Sequence, residues 1–107
     1  HLFYLATSLF VITTLMGMHL SSCVFLERNK PWWVIIFHGI LSITAFTILI
    51  TQYPETIMSI FLFFLATGFG ICLLYQHITG RPFTKWFCFA HAVLSIAGCV
   101  FLIRFVL

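Results

Sequence analysis

Trp33-Val34-Ile35-Ile36-Phe37-His38-Gly39-Ile40-Leu41-Ser42-Ile43-Thr44-Ala45 returns near the end of the chain as Trp86-Phe87-Cys88-Phe89-Ala90-His91-Ala92-Val93-Leu94-Ser95-Ile96-Ala97-Gly98, at a constant offset of 53 (86 − 33 and 91 − 38). Followed to Ile50 and Ile103, the copies share Trp, His, Leu, Ser, Ile, Leu and Ile at matching places. Each carries a histidine deep in an apolar run and a serine four residues later. An internal repeat constrains architecture before any local signal does. This one predicts a duplicated helical hairpin with one histidine per copy at one depth.

The composition names the solvent. Of 107 residues, 63% are hydrophobic and 7% charged, with a mean hydropathy of +1.18. A soluble domain carries about 25% charged residues, so this chain could not clothe a water-facing surface. A chain this short also has too little interior to hide its 14 phenylalanines. A lipid bilayer is the expected surroundings, and one bundle without a second domain is the expected organisation over 1–107. The net charge of +3 lacks the concentrated basic face that nucleic acid would need, so nucleic acid is excluded as a partner. Cys23, Cys72, Cys88 and Cys99 form no Cys-x-x-Cys and read as small buried apolar residues.

Four apolar runs are expected as helices over about 2–26, 31–51, 55–77 and 83–107. Each is ~20–25 residues, the length that crosses ~30 Å of hydrocarbon at ~1.5 Å per residue. The first is long enough to span and does not read as a cleaved leader. Lipid offers no partner to bare backbone, which forces the helical state. Pro31 opens the second run, Tyr53-Pro54 ends it, and Gly80-Arg81-Pro82 ends the third. Short connections between sequence neighbours predict an all-α, integral-membrane, up-down-up-down four-helix bundle, with helices 2 and 4 diagonal. Arg28 and Lys30 lie in the first connection and Arg81 and Lys85 in the third. That bias predicts a cytoplasmic (inner) membrane location with both of these connections cytoplasmic and both termini opposite. Trp32, Trp33 and Trp86 then mark the cytoplasmic boundary, and Tyr4 and Tyr53 the outer one.

His38 and His91 sit about two turns into parallel, diagonal helices, so their imidazoles can face each other across the bundle axis. Ser42 and Ala45, and Ser95 and Gly98, follow at spacings that share the histidine's face. Such small residues suit a slot for a flat macrocycle, and bis-histidine ligation of haem b would use it. Arg81 and Lys85 would pair with the propionates. The alternative for the same residues is close helix packing with histidines bonded to neighbouring helices. A weaker signal comes from His19 and Cys72, which share that level and would complete a four-residue zinc or copper layer with His38 and His91. His77, at the end of helix 3, suits the helix dipole and would support a propionate or a quinone headgroup. Gly17, Ala66, Gly68 and Gly70 read as tight helix contacts, Thr13, Thr14 and Thr67 as bonding back to their own helices, and Glu55 as a helix start. No paired carboxylates, activated nucleophile or phosphate loop appears, so no catalytic residue is expected.

His38-Gly39-Ile40-Leu41-Ser42, Gly80-Arg81-Pro82 and His91-Ala92-Val93-Leu94-Ser95 resemble a group of small bacterial four-helix inner-membrane proteins. More loosely, the paired histidines resemble four-helix membrane b-type cytochromes. The first resemblance implies the fold and the membrane; the second implies axial ligation by His38 and His91. The chain lacks the second histidine pair of the two-haem pattern. The expected function is a haem b-binding electron-transfer protein or subunit of a respiratory assembly, without independent catalysis. Its expected partners are the lipid bilayer, other membrane subunits or further copies of itself, and a quinone. Two alternatives are a cofactor-free accessory subunit packed against a larger membrane complex, and a metal-binding bundle.

Overall fold

A computed structural model of the chain describes residues 2–106, and these form four helices: α1 (Leu2–Phe25), α2 (Trp32–Gln52), α3 (Ile57–Ile78) and α4 (Lys85–Val106). No strand occurs among the described residues. Each helix is long and apolar enough to cross a membrane. The long dimension of 38 Å matches a ~30 Å hydrocarbon layer with short polar ends. The expected extension of the fourth helix to position 107 lies outside the described residues.

The helix ends differ from the sequence expectation by a residue or two, each for a local reason. Pro31 caps α2 from outside with φ −69° and ψ 128°, and its carbonyl accepts from the Ile35 N–H at 3.3 Å. Glu55 does not begin α3; it lies exposed in the turn after Pro54, and the first helical residue is Ile57. α1 and α3 end in the same way. The Glu27 and Arg28 N–H groups donate to the Val24 and Cys23 carbonyls, as those of Gly80 and Arg81 donate to His77 and Gln76. This is the Schellman closure, whose penultimate residue must be left-handed. Gly80 supplies that conformation at φ 71°, whereas Glu27 is forced into it at φ 56°.

The helices form a ring of neighbours. α3 packs most extensively on α4, α1 on α2, then α1 on α4, with α2 on α3 least. The diagonal pairs meet through side chains. Phe10 of α1 stacks on Phe63 of α3 at 4.0 Å between ring centres, nearly parallel, and His38 of α2 faces His91 of α4. At one end, Lys30 lies 4.3 Å from the Phe83 ring centre, and Trp32 and Phe83 flank the His77 ring. At the other, the Phe3 ring meets Tyr53 and Phe105. The larger core cluster, around Phe10, Phe63, Leu49 and Leu102, fills the latter half. A smaller one, Val24, Leu73 and Cys88, fills the half near the first and third connections.

Buried positions recur at the offset of the sequence repeat. Ala6 and Ser59, Phe10 and Phe63, Thr13 and Ala66, Ala45 and Gly98, and Leu49 and Leu102 are all buried and each pair is 53 apart. The first three pairs lie on α1 and α3. Three of the four cysteines, Cys23, Cys88 and Cys99, are buried as expected; Cys72 is exposed.

Relieving the forced turn should stabilise the fold. Glu27→Gly is expected to raise the free energy of unfolding by about 1 kcal/mol, and Gly80→Ala to lower it by a similar amount. Thermal unfolding in detergent measures both, and the two changes should have opposite signs.

Candidate functional site

His38 and His91 meet near the bundle axis with ring centres 6.0 Å apart and planes at 75°. Each ring is anchored to the helix that precedes its own. His38 Nδ1 lies 3.0 Å from the Thr13 carbonyl oxygen, and His91 Nδ1 lies 2.6 Å from that of Ala66; both bonds join residues 25 apart. A carbonyl only accepts, so Nδ1 carries the proton in both rings. In each neutral imidazole the Nε2 lone pair is left available, and no hydrogen bond engages either Nε2 among the described residues.

Both carbonyls are reached because a glycine opens the path one turn further along. A Cβ on Gly17 would stand 3.1 Å from His38 Cε1, and one on Gly70 would stand 3.0 Å from His91 Cε1. Thus Gly17 and Gly70 seat imidazoles rather than helix backbones. Gly68, expected as a close helix contact, has nothing within 4 Å of such a Cβ. Only the helical repeat could have indicated these seats: Gly17 and Gly70 are themselves 53 apart, like the carbonyl-bearing Thr13 and Ala66.

The residues after the histidines do not leave the expected slot. The Ser42 and Ser95 hydroxyls donate to the His38 and His91 carbonyls at 2.6 and 2.8 Å, satisfying themselves on their own helices. The space over Gly98 is filled by the Phe63 ring, which a Cβ there would approach to 2.7 Å. Ala45, its counterpart, is fully buried. The Phe10–Phe63 stack therefore closes this side of the pair. Thr13 and Thr14 also depart from expectation. Thr14 shares a 3.3 Å hydrogen bond with Cys99, while the Thr13 hydroxyl is buried without a partner among the described residues. Of the three threonines only Thr67 bonds back, to the Phe63 carbonyl. An orphaned buried hydroxyl costs about 1–3 kcal/mol, and it sits on the residue that holds His38.

The remaining expected ligands stand apart. His19 and Cys72 are exposed on the outer faces of α1 and α3, and no group of three or more His, Cys, Asp or Glu forms among the described residues. Arg81 and Lys85 are exposed at the α3–α4 connection. His77 packs edge-on against Trp32 at 4.2 Å, and its Nε2 is buried without a partner among the described residues rather than turned to water. No protein family, curated protein or solved structure matches the chain.

The glycine seats make a selective prediction. Gly17→Ala and Gly70→Ala should each lower stability by about 1 kcal/mol net, because the imidazole must yield its seat. Gly39→Ala and Gly68→Ala, with open space around them, should gain up to about 1 kcal/mol from helix propensity. Parallel unfolding curves of the four variants in one detergent distinguish the two classes.

Proposed function

We propose that His38 and His91 are the axial ligands of one haem b, and that the protein is an electron carrier within a respiratory assembly. In this proposal the chain is an up-down-up-down bundle made from a duplicated hairpin. It lies in the cytoplasmic membrane with the first and third connections inside. The duplication is supported by buried pairs, helix ends and imidazole anchors that all recur at an offset of 53. The orientation is supported by the basic residues of the two connections that meet at Lys30 and Phe83.

The observation that carries the haem assignment is the 6.0 Å between ring centres. His38 and His91 would hold the iron through Nε2, the ring nitrogen that takes part in no hydrogen bond among the described residues. The donor set fits as well. A bare structural zinc wants four ligands, whereas the pair has no third His, Cys, Asp or Glu beside it among the described residues. Two axial imidazoles suffice when the ligand brings its own equatorial donors. Bound there, haem b supplies a one-electron couple whose potential the axial ligands and their hydrogen bonds set. The Thr13 and Ala66 carbonyls fix the tautomer and the ring direction and raise the basicity of Nε2. Arg81 and Lys85 are the propionate partners, with Lys85 ~9 Å along α4 from His91. The Phe10–Phe63 stack keeps water from the other side.

A cofactor-free accessory subunit is the second proposal, and the closed Gly98 face favours it. Each imidazole is already bonded and seated inside its own hairpin, so the pair can act as packing alone.

Absorption spectroscopy of protein purified gently after expression with ample haem decides between them. The haem-bound protein shows a Soret band and, when reduced, the narrow visible bands of six-coordinate low-spin iron. His38→Ala and His91→Ala should each abolish the low-spin signature. Arg81→Ala should have a milder effect because its pairing is screened by water. Colourless wild-type protein would overturn the haem proposal and leave the accessory subunit.

A further inference from the structure

The matching halves of the chain differ in how the helix end is bridged near the first and third connections. In the second half, Gln76 bridges the helix end to the start of α4. Its Nε2 donates to Thr84 Oγ1 at 2.8 Å, and its Oε1 accepts from the Thr84 N–H at 3.0 Å. The residues 53 earlier are Cys23 and Pro31. Neither can make that bridge: a thiol is short and weakly polar, and proline has no N–H. Cys23 and Pro31 instead line a groove of about 420 Å³, together with His19, Ser22, Arg28, Asn29 and Lys30.

The lining holds two cations and no acid. Arg28 is presented by the Schellman closure of α1, and Lys30 is held by its contact with the Phe83 ring. Asn29 adds an amide. Below this polar end lies the outer face of α1. There Val11, Leu15 and Met18 are exposed at spacings of four and three that place them in line with Ser22. A cationic head above an exposed apolar stripe, at the end of a membrane-spanning helix, matches one ligand chemistry: a phosphate diester carrying acyl chains. We propose that this groove binds an anionic phospholipid, with Arg28 and Lys30 on the phosphate and the acyl chains along α1.

Native mass spectrometry of the full chain in detergent, titrated with dioleoylphosphatidylglycerol or dioleoylphosphatidylcholine, tests this. Wild type should retain one phosphatidylglycerol under conditions that strip phosphatidylcholine. Arg28→Gln with Lys30→Gln should weaken that binding about thirty-fold, while Arg81→Gln, at the matching place in the other hairpin, should stay within about twofold. Cys23→Gln with Pro31→Thr should also lose the lipid, although both cations remain, because it supplies the Gln76–Thr84 bridge to the first hairpin. Circular dichroism checks that each variant keeps its helices; a misfolded bridge variant leaves the charge variants to decide. An equal loss in Arg81→Gln would overturn the site in favour of diffuse surface charge. Displacement of the lipid by millimolar inorganic phosphate alone would overturn the acyl-chain part and leave a phosphate-ion site.

Discussion

The interior of the bundle depends on two hydrogen bonds that lipid makes obligatory. An imidazole N–H at membrane depth has no water to turn to, and a helix carbonyl is already engaged with its own ladder. His38 and His91 reach the second lone pair of a carbonyl on the preceding helix, and they can do so because Gly17 and Gly70 carry no side chain. Bonds of this kind between membrane helices contribute about 0.6 kcal/mol on average and up to about 1.7. Their larger consequence is directional. With Nδ1 tied back, each ring has one rotational position, and the two rings are brought to 6.0 Å across the diagonal. The Phe10–Phe63 stack on the other diagonal sets the floor beneath them. Helix-to-helix distance, ring orientation and closure of the core all follow from where these four side chains meet.

The departures from the internal match are as informative as the match. α1 is bound to α4 by Thr14–Cys99 and by Cys88 donating to Ser21. The corresponding positions between α2 and α3 are Thr67 and Phe46, and Leu74 and Ile35, which offer no such pair of polar groups. α2 and α3 accordingly pack least. Similarly, the Gln76–Thr84 bridge ties one helix end, whereas a basic groove lies at the other. The two halves differ in having one tight seam, one loose seam and one groove.

Much of the framework was legible in the sequence. The four apolar runs, the proline and glycine punctuation and the matched histidines gave four helices within a residue or two and placed His38 and His91 together. The histidines' anchors were not legible. α1 and α3 share Leu9 with Leu62, Phe10 with Phe63, Thr14 with Thr67, Gly17 with Gly70 and Leu20 with Leu73 at the same offset of 53. These are common membrane residues, and their identities are scattered, so they do not stand out beside Trp and His. Small residues after the histidines suggested a slot, but a glycine announces only that something approaches, and at Gly98 the approaching group is Phe63. The left-handed Glu27 was hidden for a different reason: only the conformation of its counterpart Gly80 reveals what that position demands.

The central proposal is that both imidazoles are held as Nδ1–H tautomers and would offer Nε2 to a shared ligand. Nitrogen-15 NMR of histidine-labelled protein in detergent reads the protonation of each ring nitrogen, with His38→Gln and His91→Gln assigning the signals. The account predicts protonated Nδ1 and unprotonated Nε2 in both rings. In haem-loaded protein, the Nε2 signals of both should shift or broaden together. Protonated Nε2 in either ring, or Nε2 signals unchanged by haem in both, would contradict it.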